Sequence, residues 1–321
     1  MKIRLNLPVM LLLLFFFGCS KDKGNRPLNG TWQYFNSKNG LINNNVRCIS
    51  NTNGETWIGT EFGLSLYDGA KFINYNTSQG LIHHQVNGLV QKENGNLWIG
   101  TPYGLSLFNG NQFFNLNEAD GLGYDYVYGV SLDQQQNLWV ATGKGVSFYD
   151  GTDWMVYQKD QGNSLVYNIV RDVVVDTENY KWFGTEFGIS KYRDGNWKTY
   201  LAELPLADFV LDLFVDDKDN IWVGTLAGVS MIKDDQVIDY SMADGLIYDR
   251  VDAIAQDKDG VMWFATQYGV SAFDGTKWEN FTADNGLTET WVTSISVDAS
   301  GKIWFGTKTK GIAVYTKPAA Q

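Results

Sequence analysis

The feature that most constrains this chain is a phrase written seven times. Trp57-Ile58-Gly59-Thr60 is followed by Glu61-Phe62-Gly63-Leu64-Ser65-Leu66-Tyr67-Asp68, and the tryptophans opening the copies are Trp57, Trp98, Trp139, Trp182, Trp222, Trp263 and Trp304. Their steps are 41, 41, 43, 40, 41 and 41 residues. A period near 40 means that each copy is one small unit that cannot bury its apolar face alone and must stack on its neighbours. The unbroken repeat therefore implies one domain, although the length alone would allow two.

Within a copy, four short runs of β-branched and aromatic residues are separated by turn signals, the pattern of a four-stranded blade. In the second copy these are Val86 to Gln91, Asn96 to Thr101, Leu105 to Phe108 and Gln112 to Leu116. The last two are joined by Asn109-Gly110, read as a two-residue hairpin turn. The fifth copy has Asp234-Asp235 there, so its turn geometry is expected to differ. Strand side chains alternate, so each Trp shares a face with the residue two positions on. That residue is Gly59, Gly100, Gly184, Gly224 or Gly306, with Ala141 and Ala265 in the third and sixth copies. A large ring beside a small residue lets blades interlock. The threonine that follows (Thr60, Thr101, Thr142, Thr185, Thr225, Thr266, Thr307) is expected to bond backbone at the strand end rather than act as a nucleophile.

Fifteen residues past each Trp stands the anchor of the fourth strand, Phe72, Phe113, Trp154, Trp197, Val237 and Trp278, but the seventh copy meets Ala319 in a polar tail. The missing strand is found at the other end, in Gly30-Thr31-Trp32-Gln33-Tyr34-Phe35. The expected fold is all-β: a seven-bladed β-propeller of four-stranded blades over residues 29–317, its last blade closed by the N-terminal strand, with a tail at 318–321. Closure removes the sheet edges that otherwise invite aggregation.

The segment before the repeats starts Met1-Lys2-Ile3-Arg4, continues in an apolar run from Leu11 to Phe17, and reaches Gly18-Cys19-Ser20. The run is too short to cross a bilayer and has the layout of a secretory signal over 1–18. Its end resembles the lipobox of bacterial lipoproteins, which implies that Cys19 is lipidated. Ser20 then implies sorting to the outer membrane. Residues 19–28 read as a flexible tether, so the expected location is the cell envelope, with the lipid anchor as the membrane contact. If Cys19 is acylated, Cys48 has no disulfide partner and reads as a small buried hydrophobe. With 25 basic and 36 acidic residues, or 23 against 36 without Lys2 and Arg4, a nucleic-acid partner is not expected.

The copies resemble the two-component regulator propeller repeat, Asp-x-x-Gly-x-Ile/Leu-Trp-x-Gly-Thr-x-x-Gly-Leu-x-x-Tyr, as in Asp257-Lys258-Asp259-Gly260-Val261-Met262-Trp263-Phe264-Ala265-Thr266 with Gly269-Val270. The resemblance extends over all seven copies from Gly30 to Thr316. In that family such propellers commonly form the periplasmic sensor of hybrid histidine kinases, often respond to glycans, and usually occur as a tandem pair before a membrane span. A single propeller here, followed by neither span nor kinase, implies a sensing-type propeller detached from its transmitter. It is expected to be a monomer and to bind a glycan or a protein partner without a cofactor or metal.

Propellers bind through the loops that join fourth to first strands and second to third strands, and here the copies disagree most. The candidates are Glu61, Phe62, His84, Tyr103, Tyr124, Tyr126, Lys144, Tyr167, Glu186, Phe187, Asp208, Tyr248, Arg250, Tyr268, Trp291 and Lys308. Tyrosine and tryptophan rings suit the apolar faces of sugars, and carboxylates and amides suit their hydroxyls. The enzyme alternative is a streptogramin lyase, also a seven-bladed propeller, with His84 as base. His83 and His84 are expected to point to opposite faces, which disfavours joint metal binding. Glu61 and Glu186 fall on blades nearly across the channel, too far apart for a glycosidase pair, which needs roughly 5 to 10 Å. Acidic turns such as Asp216-Asp217-Lys218-Asp219 read as solvated turns on the opposite face. The third possibility is a structural adaptor.

Overall fold

The structure, a computed structural model, describes residues 30–52, 54–159, 165–200 and 209–318. The signal segment, Cys19, the tether, Asp208 and the last residues of the tail lie outside the described residues. Seven four-stranded antiparallel sheets follow one another, six of them in simple first-to-fourth order. Blade one consists of Val46–Thr52, Glu55–Thr60, Gly63–Tyr67 and Phe72–Tyr75. Blade seven takes three strands from the C-terminal end, Val292–Val297, Ile303–Thr307 and Ile312–Thr316, and its fourth, Thr31–Phe35, from the N-terminal end. The closing pair runs antiparallel with Trp32 opposite Tyr315 and Phe35 opposite Ile312. Phe35 is buried and stacks on Trp304 at 5.7 Å, so the ring is held shut by core packing as well as by backbone bonds.

The Trp-x-Gly-Thr phrase is the packing unit. Each Trp is buried, and the small residue two positions later receives the valine that opens the next blade. A Cβ added at Gly100 would lie 2.6 Å from Val127 Cγ1, and one at Gly59 would lie 2.5 Å from Val86 Cγ1. The seven threonines are fully or almost fully buried. Thr60 Oγ1 donates to Gly63 O at 2.8 Å and accepts from Phe62 N at 3.2 Å, and every other copy repeats this pair of bonds. A buried hydroxyl satisfied in both directions thus fixes the turn that presents the following loop residue.

Two expectations are corrected. The first aspartate of the turns between first and second strands is buried, not solvated. Asp216 accepts from Lys218 N and Asn220 N and from Trp222 Nε1 at 2.8 Å, tying the turn to the indole. Asp133, Asp176, Asp257 and Asp298 do the same for Trp139, Trp182, Trp263 and Trp304. In blade one Glu55 serves Trp57, whereas blade two has Lys92 at the aspartate position and leaves Trp98 Nε1 buried without a partner. The turn Asn109-Gly110 is part of a four-residue loop, as are Asp68-Gly69, Asp150-Gly151 and Asp274-Gly275, closed by the Asp or Asn side chain accepting two backbone N–H groups. Two-residue turns occur in blades four and five, where Asp194 and Gly195, and Asp234 and Asp235, all have positive φ. Blade five is therefore not alone: a second Asp takes the left-handed conformation that Gly takes in blade four.

Candidate functional site

Each first strand opens on a fully buried valine (Val46, Val127, Val170, Val210, Val251, Val292), except in blade two, where Val86 stands two residues before the strand. In six blades the pairing slips by one residue just after it, for example between Val46 and Cys48 and between Val170 and Asp172. Such a bulge turns the extra residue out of the ladder. The residues at this position, Arg47, Asn87, Tyr128, Arg171, Leu211, Asp252 and Thr293, form a ring around the axis and line the mouth of the central channel, a cavity of about 230 Å³. Asn45, Arg250 and Trp291, each just before the valine, and Lys308 complete the mouth. Below it the channel continues as a cavity of about 270 Å³ walled by the next residue of each strand.

The ring residues hold one another in three clusters. Arg47 donates through Nε to Asn87 Oδ1 (2.9 Å) and through Nη1 to Glu61 Oε2 (3.2 Å), while Asn87 Nδ2 donates to Val127 O (2.7 Å). Arg171 is clamped on Glu186, with Nε at 3.0 Å from Oε1, and its guanidinium covers Tyr128 at 4.5 Å and Phe209 at 5.1 Å. Asp252, almost fully buried, accepts from Arg250 Nε (2.9 Å) and Trp291 Nε1 (3.0 Å), and Lys308 lies 5.6 Å from the Trp291 ring.

Tyr126, Arg250, Trp291 and Lys308 thus reach the mouth or its wall, Tyr126 by packing 4.6 Å from Tyr128. Glu61 and Glu186 brace arginines rather than face each other as an acid pair. The other described candidates form an outer rim of paired loops: Tyr124 under Lys144 (4.4 Å), Tyr167 on Phe187 (4.7 Å), Tyr248 on Tyr268 (4.5 Å) and His84 on Phe62 (5.4 Å). Tyr103 stacks on His83 at 4.8 Å. Phe62, Tyr103, Phe187 and Tyr268 are each at least half exposed. The two histidines do not diverge as expected. They precede the strand in irregular backbone, their rings lie 4.0 Å apart, and burial, then the neighbouring His84, pushes His83 below the usual imidazole range. Among the described residues no group of three or more His, Cys, Asp or Glu side chains could hold a metal ion.

Arg47, Asn87, Tyr128, Arg171 and Asp252 are absent from the sequence candidates because they follow the valine of a run with strand character rather than lie in a loop. One signal was available: after seven valines, the next position reads Arg, Asn, Tyr, Arg, Leu, Asp, Thr, the variability of a lining rather than of a core.

The channel wall also carries Asp172 and Asp212. Asp172 Oδ2 accepts from Leu213 N at 3.0 Å and Asp212 Oδ2 from Ile254 N at 2.7 Å, each across to the next blade. Burial pushes the Asp172 carboxyl up to about 7, and burial followed by the nearby Asp172 charge holds Asp212 well above the usual carboxylate range. Cys48 lines the same channel, its thiol pushed up to about 12 by burial, the property of an inert packing group.

Residues 80–103, 245–268 and 286–309 match the family described as two component regulator propeller. No curated protein sequence matches the chain. Among solved structures, the extracellular domain of a B. thetaiotaomicron protein assigned to the hybrid two component systems is similar over 90% of this chain and 42% of its own, with TM-score 0.79 and 23% identity. Virginiamycin B lyase from Staphylococcus aureus, a catalytically inactive variant with quinupristin, is similar over 90% of this chain and 100% of its own, with TM-score 0.73 and 14% identity. PorZ, a surface component of the type-IX secretion system of Porphyromonas gingivalis, follows with 88% and 47% coverage, TM-score 0.69 and 15% identity. The chain spans less than half the length of the two-component and PorZ structures, and at these identities the likeness is one of fold. None of the described helices is long and apolar enough to cross a membrane. The chain is a seven-bladed propeller, and three of its segments match the two component regulator propeller family.

Proposed function

We propose that this propeller is a non-catalytic binding module of the cell envelope that captures a glycan at the mouth of its channel. The observation that carries the reading is the convergence, from seven blades of one repeat, of a position that varies from blade to blade, onto a concave, polar and aromatic mouth. Sugars need a flat ring to stack on and a dense set of donors and acceptors; Trp291 supplies the first, and Arg47, Asn87, Arg171 and Asp252 the second. The exposed rim aromatics Tyr103 and Tyr268 extend the surface for further sugar rings. The fold shared with extracellular domains of two-component systems supports a sensing role, and the Leu11 to Phe17 run with Cys19 supports attachment through a lipid.

A glycan array probed with the purified propeller tests the reading, beside the same protein with Tyr103, Tyr268 and Trp291 all replaced by Ala. Binding that survives the triple replacement places the ligand elsewhere; a blank array together with a protein docking on blade sides replaces the glycan with an adaptor role. Metabolic labelling with a fatty-acid analogue should mark the wild-type chain and not Cys19→Ala. The lyase reading draws on one observation, fold likeness over the whole of the S. aureus enzyme. Turnover of quinupristin by this chain, lost in His84→Ala, would establish it; His84 packed on Phe62 and His83 argues for a rim role instead.

A further inference from the structure

Taking the glycan reading as its premise, the balance of donors at the channel mouth points to a narrower ligand class: we infer that the mouth is a subsite for the carboxylate of an acidic sugar. Each of Arg47, Arg171 and Arg250 has five N–H groups, and the bonds described above occupy two on each. Three N–H groups per guanidinium remain uncommitted among the described residues, and Lys308 adds an ammonium beside Trp291. Fewer acceptors remain among them: the second oxygens of Glu61 and Glu186 and the buried, unpartnered Asn45 Oδ1. Asp252 is engaged by Arg250 and Trp291, Glu186 by Arg171, Glu61 by Arg47, and the Asn87 carbonyl oxygen takes bonds from both Arg47 and Gln85.

A neutral sugar offers hydroxyls that want acceptors as well as donors; a carboxylate offers only acceptors and fits a donor-rich site. Among the described residues the cationic groups outnumber the anionic ones at the mouth, four against three, although the whole chain is acidic. Below pH 7 the carboxyls deeper in the channel do not reverse this, because burial favours their uncharged form. The cavity of about 230 Å³ admits one sugar unit, so a chain end or a single acidic residue of a longer glycan enters while the rim holds the rest.

The test measures binding of tetragalacturonate and of a hyaluronan tetrasaccharide by calorimetry, each beside its carboxyl-reduced neutral counterpart. At least one acidic member should bind about tenfold or more tightly than its neutral counterpart, with an affinity that falls as salt is raised. Lys308→Ala should weaken that binding about tenfold. Glu186→Gln should tighten it several-fold, because it releases Arg171 from its clamp; melting temperatures confirm that both variants are folded. Equal affinity for an acidic sugar and its reduced form overturns the subsite and leaves the glycan reading standing, as does array binding confined to neutral glycans. A failure of every acidic and neutral glycan overturns both.

Discussion

Asp172 makes this propeller's stability depend on pH in an unusual direction. A carboxyl whose pKa is raised on folding keeps its proton in the native state over a range where the unfolded chain has lost it. Stability is then fully present below the unfolded value of 3.8, declines as pH rises, and levels off above the folded value of about 7. The shift is about 3 units, and at 1.36 kcal/mol per unit the native state is about 4 kcal/mol less stable at pH 8 than it would be without this ionisation. Surface left open to the channel softens the penalty, so ~2–3 kcal/mol is the expected loss. Asp172→Asn removes the ionisation while the amide oxygen still accepts from Leu213 N. Urea unfolding followed by tryptophan fluorescence should show the variant more stable than wild type by ~2–3 kcal/mol at pH 8 and within about 1 kcal/mol at pH 4. An equal difference at both pH values, or a variant less stable at pH 8 than at pH 4 relative to wild type, would refute the assignment.

Other predictions concern the blades themselves. Lys92→Asp should give Trp98 Nε1 the acceptor its equivalents have and raise stability by about 1 kcal/mol, read as a higher urea midpoint with an unchanged slope. Gly100→Ala should cost about 1–3 kcal/mol, because the new methyl meets Val127 from blade three; no change would mean that the interlock has slack. Phe35→Ala should cost about 3–5 kcal/mol by emptying the site beside Trp304 and Tyr67 at the ring closure, and calorimetry should show a lower melting temperature.

The architecture was legible before any coordinates because a forty-residue period with strand-length runs has few solutions, and the stray fourth strand at Thr31–Phe35 left one way to close the ring. The small position after each Trp and the threonine beside it were also legible, since alternation along a strand assigns their faces. Half of the site was legible for the same reason in reverse: loop positions that break the repeat, such as Arg250, Trp291 and Lys308, advertise themselves.

Tertiary structure alone decided which of those loop residues face the axis and which form the outer rim. It also found the ring of Arg47, Asn87, Tyr128, Arg171 and Asp252. Asn87 just precedes its strand and the other four sit inside strands, where alternation predicts a blade face; a bulge after the valine breaks that alternation and turns those four into the channel. Sequence could not show that Glu61 and Glu186 are spent on arginines, or that the turn aspartates cap buried indoles, because such pairings depend on distances across a turn or between strands. What the sequence by itself determined was the unit and its count, which follow from periodicity and burial. What only the folded ring decided was the chemistry at its centre, where seven copies of one position meet around an axis that no single copy contains.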